Sequence, residues 1–431
     1  MKKIYEYDWW YDHLRYIVDF FIHGSFKKIR YEGLEKIPGD GAVILAPNHC
    51  DALMDPFAVL AMNHDKKVFV ARADVFKKPW AHKVLTFFKI MPIYRVRDGF
   101  RSVLESGDTI KKSIEVLNNR VPFCILPEGT HRSMHSLLPL GKGIARIACG
   151  ADQSMAGREH VYIVPLGCEY GDYYRFRSTL LVTVGEPIDI TAYIAGKPAC
   201  SEAVLMNDIR KLTAEGMKRQ IVYIPDDDDY EATWELAKLS SGHIPETDLR
   251  GRLDANRATV ERLGELRKET PEQAGKLFEQ ARAFTRERKR SRVSLHATYT
   301  QKPLSAALWR TLRTLVCLPF ALAMAIASLP AWGVGEKLAC SSDDRTFRNS
   351  FRCAAIMLLW TLLLPIWAVV LLCTVKWYWA LAALVLLVPA PMLTYDWFEQ
   401  VRRCASSWRY LFNGRIRNMK RDLMENLNRI N

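Results

Sequence analysis

The sequence predicts an α/β fold: a mixed, largely parallel sheet flanked by helices, with a C-terminal helical membrane region. Three observations predict it. From Gly41 onward, short apolar runs alternate with longer stretches of helical periodicity, the trace that strand–helix–strand units leave in a chain. The runs, Ala42 to Pro47 above all, read as buried strands ending at turns. The last third carries three uncharged runs: Thr314 to Val334, Cys353 to Val375 and Trp377 to Tyr395. Each is long enough to cross a hydrocarbon core at a helical rise of about 1.5 Å per residue.

The 431 residues suffice for two or three domains, and the elements follow in order. Residues 1–35 are expected to hold an N-terminal amphipathic, membrane-associated helix. Between Asp8 and Arg30 the aromatics Trp9, Trp10, Tyr11, Phe20 and Phe21 interleave with His13, Arg15, Lys27 and Lys28. Aromatic rings favour the lipid–water boundary and cations meet anionic head groups there; packing of the helix on the following domain is the other reading.

Residues 36–225 are expected to form the α/β domain. Its strands are predicted at Val43 to Ala46, Val68 to Ala71, Met91 to Tyr94, Phe123 to Leu126, Val161 to Gly167 and Leu181 to Val184. Its helices are predicted at Pro56 to Met62, Trp80 to Phe88, Ser102 to Leu117, Gly143 to Cys149 and Ser201 to Val222. Residues 226–302 are a charged helical segment, opened by the carboxylate run Asp226 to Asp229, which reads as an acidic cap before a helix starting near Tyr230.

Residues 303–398 hold the apolar runs as transmembrane or re-entrant helices, and 399–431 a basic cytoplasmic tail. Arg310 and Arg313 precede the first run, and Arg402, Arg403 and Arg409 follow the last, so both flanks call for the cytoplasmic side. Three full crossings would separate them. One run is therefore expected to be re-entrant, and Thr314 to Val334, interrupted by Pro319 and Pro330, is the candidate.

A formal charge of +14 implies acidic partners: a membrane surface, anionic substrates or nucleic acid. The basic cluster Arg286 to Arg292 lies ahead of the apolar runs, where head groups would meet it, and so needs no nucleic acid. Ten cysteines without any Cys-x-x-Cys spacing read as reduced thiols, with neither a disulfide frame nor a zinc site. Met1 to Tyr16 lacks the apolar core and cleavage site of a signal peptide, so a cytoplasmic location is expected for the water-soluble part.

Chemistry concentrates in two stretches. Asn48-His49-Cys50-Asp51-Ala52-Leu53-Met54-Asp55-Pro56 follows the Ala42 to Pro47 strand. A carboxylate, Asp51 or Asp55, could hold the His49 imidazole for general-base work; a helix-start histidine beside a solvated cap is the competing reading. Leu126-Pro127-Glu128-Gly129-Thr130-His131-Arg132 follows the Phe123 strand, with Lys142-Gly143 ahead of a helical pattern. Arg132 and Lys142 suit phosphate, but the Gly-x-x-x-x-Gly-Lys-Ser/Thr order of a nucleotide loop is absent. His131 and His135 read as solvated loop histidines rather than metal ligands. Pro92-Ile93-Tyr94-Arg95-Val96-Arg97 could form an anion clamp.

Taken in order, Asn48-His49 with Asp55-Pro56, Pro92-Ile93-Tyr94-Arg95, Leu126-Pro127-Glu128-Gly129-Thr130 and Val164-Pro165-Leu166-Gly167 resemble the four blocks of the glycerolipid acyltransferase family. That family includes glycerol-3-phosphate and lysophosphatidic acid acyltransferases, and the resemblance covers about Tyr31 to Pro187. Two departures stand out. His49 and Asp55 are separated by five residues where the family usually has four, as in a branch that includes some glycerol-3-phosphate acyltransferases, and Lys89 and Pro92 replace the second block's common glycine and phenylalanine.

The resemblance implies transfer of an acyl group from an acyl-CoA or acyl carrier protein thioester to a hydroxyl of glycerol-3-phosphate or 1-acylglycerol-3-phosphate, with no bound cofactor or metal. It implies His49 as base, Asp55 as its partner, Arg95 on the substrate phosphate and Glu128-Gly129-Thr130 positioning the acceptor. Arg132, Lys142 and Arg97 are further anion contacts. Membrane lipids would be partners, and the catalytic domain would lie on the cytoplasmic face. A lysophospholipid-remodelling enzyme and an inactive lipid-binding scaffold of the same fold are the alternatives.

Overall fold

A computed structural model describes residues 3–94 and 100–429, with only the backbone of 100–106. Arg95 and Arg97 lie outside the described residues. The chain divides into two units. The first comprises Met1–His23, Ile29–Tyr173 and Leu180–Ile221, and the second Gly24–Lys28, Tyr174–Thr179 and Val222–Asn431.

The elements up to residue 218 run α1 (Trp9–Gly24), β1 (Phe26–Glu32), β2 (Ala42–Pro47), α2 (Met54–Leu60), β3 (Val68–Arg72), α3 (Pro79–Phe87), β4 (Ile90–Ile93), α4 (Phe100–Asn118), β5 (Phe123–Cys124), α5 (Gly143–Met155), β6 (Val161–Tyr170), β7 (Ser178–Val184), β8 (Ile188–Asp189), α6 (Ile190–Ala195) and α7 (Glu202–Lys218). The strands form one sheet in the order β1-β7-β6-β2-β5-β3-β4, with β8 paired to β6. β4, β3, β5, β2 and β6 run parallel, while β7 and β8 lie antiparallel to β6, so the sheet is mixed and largely parallel.

Every residue of β2 is buried, as a central parallel strand covered on both faces requires. Ile44, Phe123 and Ile163 sit in register across β2, β5 and β6 and pack against Ile144, Ile147 and Ala148 of α5. Gly167 has a packing reason: a Cβ there would lie 2.5 Å from the Gln220 carbonyl oxygen.

The helix predicted over residues 8–30 stops at Gly24, and Phe26–Glu32 form β1. In Phe-Lys-Lys-Ile-Arg-Tyr-Glu the charged side chains are largely exposed and Phe26 is buried, so residues read as a basic flank of the helix form an edge strand instead. Arg15 is buried rather than lipid-facing. Its guanidinium pairs with Asp19 and donates to the carbonyls of Leu60 and Asn63, 3.0 and 3.3 Å away, at the end of α2. A cation at a helix C-terminus meets unpaired carbonyls and the negative end of the dipole.

In the second unit, α8 (Tyr230–Ser240), α9 (Leu249–Glu269), α10 (Pro271–Arg290) and α11 (Leu295–Thr298) precede α12 (Pro303–Val316), α13 (Leu318–Ser341), α14 (Phe347–Thr374), α15 (Trp377–Leu387), α16 (Ala390–Phe412) and α17 (Gly414–Asn428). α8, α9, α10 and α17 share a core of Leu236, Leu263, Phe278, Phe284, Leu423 and Leu427. The stretch expected as a basic tail is helical from 399 to 412 and from 414 to 428, and buries Tyr410, Ile416, Leu423 and Leu427 in that core. α8 does begin at Tyr230, but the Asp229 side chain makes no cap bond. Asp227 and Asp229 pair instead with Arg267 and Arg282, because carboxylates facing neighbouring helices find guanidinium groups within reach.

α13 and α14 are each long and apolar enough to cross a membrane, and α15 with α16 makes a third such segment bent by 54°. The sharp bend lies in the third apolar run, while Thr314 to Val334 passes from α12 to α13 at Cys317 and runs on as a single long helix from Leu318. Pro319 sits in the first turn of α13, where its missing N–H costs nothing, and Pro330 lies inside a helix that continues past it. Pro389 and Pro391 mark the bend between α15 and α16.

Candidate active site

The carboxyl ends of β2 and β5 lie side by side in the sheet, and the two chemistry-bearing loops leave from there. Asn48 fixes the first loop: its Oδ1 accepts from Cys168 N at 2.6 Å and its Nδ2 donates to Cys168 O at 3.2 Å. The side-chain amide thus extends the β2–β6 ladder by one step.

His49 comes next, and its Nδ1 lies 2.8 Å from Asp55 Oδ2. The Cys50 and Asp51 amides donate to the same oxygen, at 2.8 and 2.9 Å, while the Tyr170 hydroxyl donates to Oδ1 at 2.8 Å. Asp55 is fully buried, and these donors replace the water its charge has lost. An anion that cannot donate obliges the imidazole to carry its proton on Nδ1 and leaves Nε2 as the basic nitrogen. Asp51 meets this centre through its backbone N–H. Between His49 and Asp55 the chain makes a left-handed turn, with Ala52 at φ 41°.

The second loop is fastened to His49 from both sides. Glu128 Oε1 accepts from His49 N at 2.7 Å, its Oε2 accepts from Leu138 N at 2.7 Å, and Arg132 N donates to His49 O at 3.1 Å. Ser133 Oγ adds a bond to Cys50 O at 2.9 Å. Glu128 therefore acts on the backbone of the site. Gly129 is exposed at φ 68°, Thr130 is half-buried beside it, and the His131 ring meets the His49 ring edge-on at 5.3 Å between centroids. The Arg132 guanidinium donates to Ser136 Oγ at 2.6 Å. Lys142 stands exposed at the N-cap of α5, next to Gly141, whose N–H donates to Pro127 O at 2.7 Å. His135 is not solvated: it is buried, with Nδ1 2.9 Å from Glu169 Oε1.

Burial pushes the Glu128 carboxyl up to about 7, against the lowering effect of its two backbone bonds. The folded protein then holds this proton more tightly than the unfolded chain. The associated stability is complete below the ordinary glutamate range and is lost as pH rises through about 7, a difference of about 3 kcal/mol. Glu128→Gln should flatten this slope: between pH 5 and pH 8 its thermal midpoint should move less than the wild type's. It should also destabilise the loop by about 1–3 kcal/mol at pH 5, because the amide NH₂ would face a backbone N–H.

Two neighbours of His49 are chemically silent. Burial, then the Asp55 charge, pushes the Cys50 thiol well up, so no thiolate is available for a covalent route. The same two causes raise the Tyr170 phenol, which stays a donor to Asp55.

Residues 28–169 match the acyltransferase family, a span that contains both loops and all the contacts of His49 and Asp55 described above except Tyr170. The match is to this one domain, about a third of the chain. Among solved structures, it is similar to the 1-acyl-sn-glycerophosphate (LPA) acyltransferase PlsC from Thermotoga maritima, at 20% identity and a TM-score of 0.35, over 48% of this chain and 80% of that one. No curated protein matches the chain in sequence.

Within the matched residues the sequence points to His49, Asp55 and the Glu128 loop, which the fold brings together. Asn48 stands out in the sequence only as part of a block, and nothing there singles out Tyr170. Tyr170 ends β6 in a run of apolar residues, where an aromatic reads as core.

Proposed function

We propose that the acyltransferase domain moves a fatty acyl group from an acyl-CoA or acyl carrier protein thioester to a hydroxyl of glycerol-3-phosphate or 1-acylglycerol-3-phosphate. The observation that carries this reading is the 2.8 Å contact between His49 Nδ1 and the buried Asp55 carboxylate. His49 Nε2 takes the hydroxyl proton as the alcohol oxygen attacks the thioester carbonyl, and Asp55 stabilises the imidazolium that forms. Collapse of the tetrahedral intermediate breaks the C–S bond, and the proton passes from His49 to the leaving thiolate. The ester and the free thiol are the products.

Arg95 binds the acceptor phosphate in this reading, with Arg132 and Lys142 as further cations and Gly129-Thr130 as the close-approach segment. Glu128 holds the loop through which they act.

Membrane attachment gives a lipid acceptor or product access to the domain. Arg310 bonds Ser407, Trp408 Nε1 donates to Thr311 Oγ1 at 2.9 Å, and Gln400 Nε2 donates to Thr314 Oγ1 at 3.3 Å. These bonds put the entry to the apolar segment and its exit at one level, which supports an even number of crossings. The basic residues at both flanks then favour the cytoplasmic side for them, and for the domain that precedes α12.

The test is transfer of a labelled acyl chain by the full-length protein in proteoliposomes, offered each thioester with each acceptor. Labelled 1-acylglycerol-3-phosphate or phosphatidic acid is expected. Hydrolysis of the thioester alone, with no acceptor acylated, would remove this reading.

A further inference from the structure

We propose that α3 and the 3-10 turn before it, Ala73–Phe76, form a docking surface for an anionic lipid bilayer, a role that rests on the acyl-transfer reading for its purpose. α3 buries Ala81 and turns Trp80, Val84 and Phe87 outward, at 64, 44 and 37% exposure, with Val75 of the turn at 48%. Positions 80, 84 and 87 share one helical face. A stripe of large apolar groups left in water on a nine-residue helix is costly unless something covers it.

The surrounding charge identifies the cover. Lys77, Lys78 and Lys83 are exposed, and among the described residues none of them enters an ion pair. Asp74, in the turn, is paired with Arg72, and from there to Asp98 the sequence has no aspartate or glutamate, so the unpaired charge that α3 itself carries beside the stripe is positive. An aromatic and aliphatic face with lysines beside it fits the head-group zone of an anionic bilayer, where the rings enter the boundary and the ammonium groups meet phosphate. A protein partner would need carboxylates opposite all three lysines.

Topology gives the surface its purpose. β2, β5, β3 and β4 are mutually parallel, so the turn following β3 lies at the same sheet edge as His49 after β2 and Glu128 after β5. Leu53, in the loop joining His49 to Asp55, is 45% exposed at that edge as well. A bilayer covering α3 and the turn would meet the edge on which acyl transfer takes place.

The experiment places the full-length protein in vesicles of phosphatidylcholine alone and of phosphatidylcholine and phosphatidylglycerol in equal parts. A membrane-impermeant amine-acetylating reagent is applied, and each lysine is read by mass spectrometry. Labelling of Lys77, Lys78 and Lys83 should fall about fivefold in the anionic vesicles and recover at high salt, while the exposed Lys211 of α7 is unchanged. Equal labelling in both lipids, whether high as on a free surface or low as under a protein partner, overturns the proposal.

A second arm compares wild type with Trp80→Ser/Val84→Ser on a long-chain acceptor held in the bilayer and on a short-chain acceptor dispersed in water. The variant should lose about tenfold in kcat/KM on the first and little on the second. Equal losses on both assign the stripe to folding and overturn docking. Lipid-dependent protection in a wild type that acylates no acceptor leaves docking standing and removes the acyl-transfer reading instead.

Discussion

His49→Ala is expected to lower acyl transfer by about 10²- to 10⁴-fold, the range a positioned general base contributes. The side chain is 16% exposed and, among the described residues, makes one polar bond, to Asp55, so its loss leaves most of the loop in place. The bonds that fasten the loop at this residue belong to the backbone: its N–H on Glu128 and its carbonyl under the Arg132 amide. Alanine keeps both. The variant should therefore fold, bind vesicles as wild type does, and fail in chemistry. His49→Gln sharpens the test, because a glutamine amide can donate to Asp55 yet cannot accept a proton at neutral pH. Labelled-thioester assays on both variants decide the matter, and a rate within tenfold of wild type for either sinks the base assignment.

The site was legible where chemistry dictates residue type. A histidine near an aspartate after a buried strand, and a Glu-Gly-Thr turn after another, survive in the sequence because few residues can replace them. What was not legible is which oxygen meets which donor. Glu128 looked like an acceptor-binding residue, but both of its carboxylate oxygens are turned to backbone amides 2.7 Å away, a use that no spacing announces. Tyr170 and Asn48 reach the site from across the sheet or by pairing with Cys168, and contacts of that kind depend on tertiary register. His135 failed for the same reason: its partner Glu169 comes from β6, far along the chain.

The fold divides similarly. Strands buried on both faces, β2 and β6 among them, were visible as continuous apolar runs. β1 was not, since an edge strand with exposed lysines resembles the polar side of an amphipathic helix. In the apolar region the sharp bend falls at Pro389 and Pro391 rather than at Pro319 or Pro330. A proline stops a helix only where its ring meets an interior turn, and Pro319 lies in the first turn of α13. The basic residues after 399 read as a tail because their charges are on the surface, while Tyr410, Ile416 and Leu423 between them carry the packing.

Asp55→Asn is expected to lower kcat by about 10²- to 10³-fold, less than the loss from a histidine triad whose tautomer is reversed by the same change. The difference follows from the donors around this carboxylate. Oδ2 accepts from the amides of Cys50 and Asp51 as well as from His49. An asparagine NH₂ in that position would face two backbone N–H groups, so the amide oxygen is held there and the NH₂ is turned toward the Tyr170 hydroxyl, which can accept. His49 keeps its proton on Nδ1. Only the negative charge opposite the developing imidazolium is lost, and a 100-fold effect corresponds to about 2.7 kcal/mol at the transition state. Asp55→Ala behaves differently, since it strands two buried amides and should cost about 2–4 kcal/mol of stability besides the rate. Measuring kcat and the thermal midpoint for both variants separates the two effects: an asparagine variant as slow as His49→Ala would show that the tautomer, rather than the charge alone, had been lost.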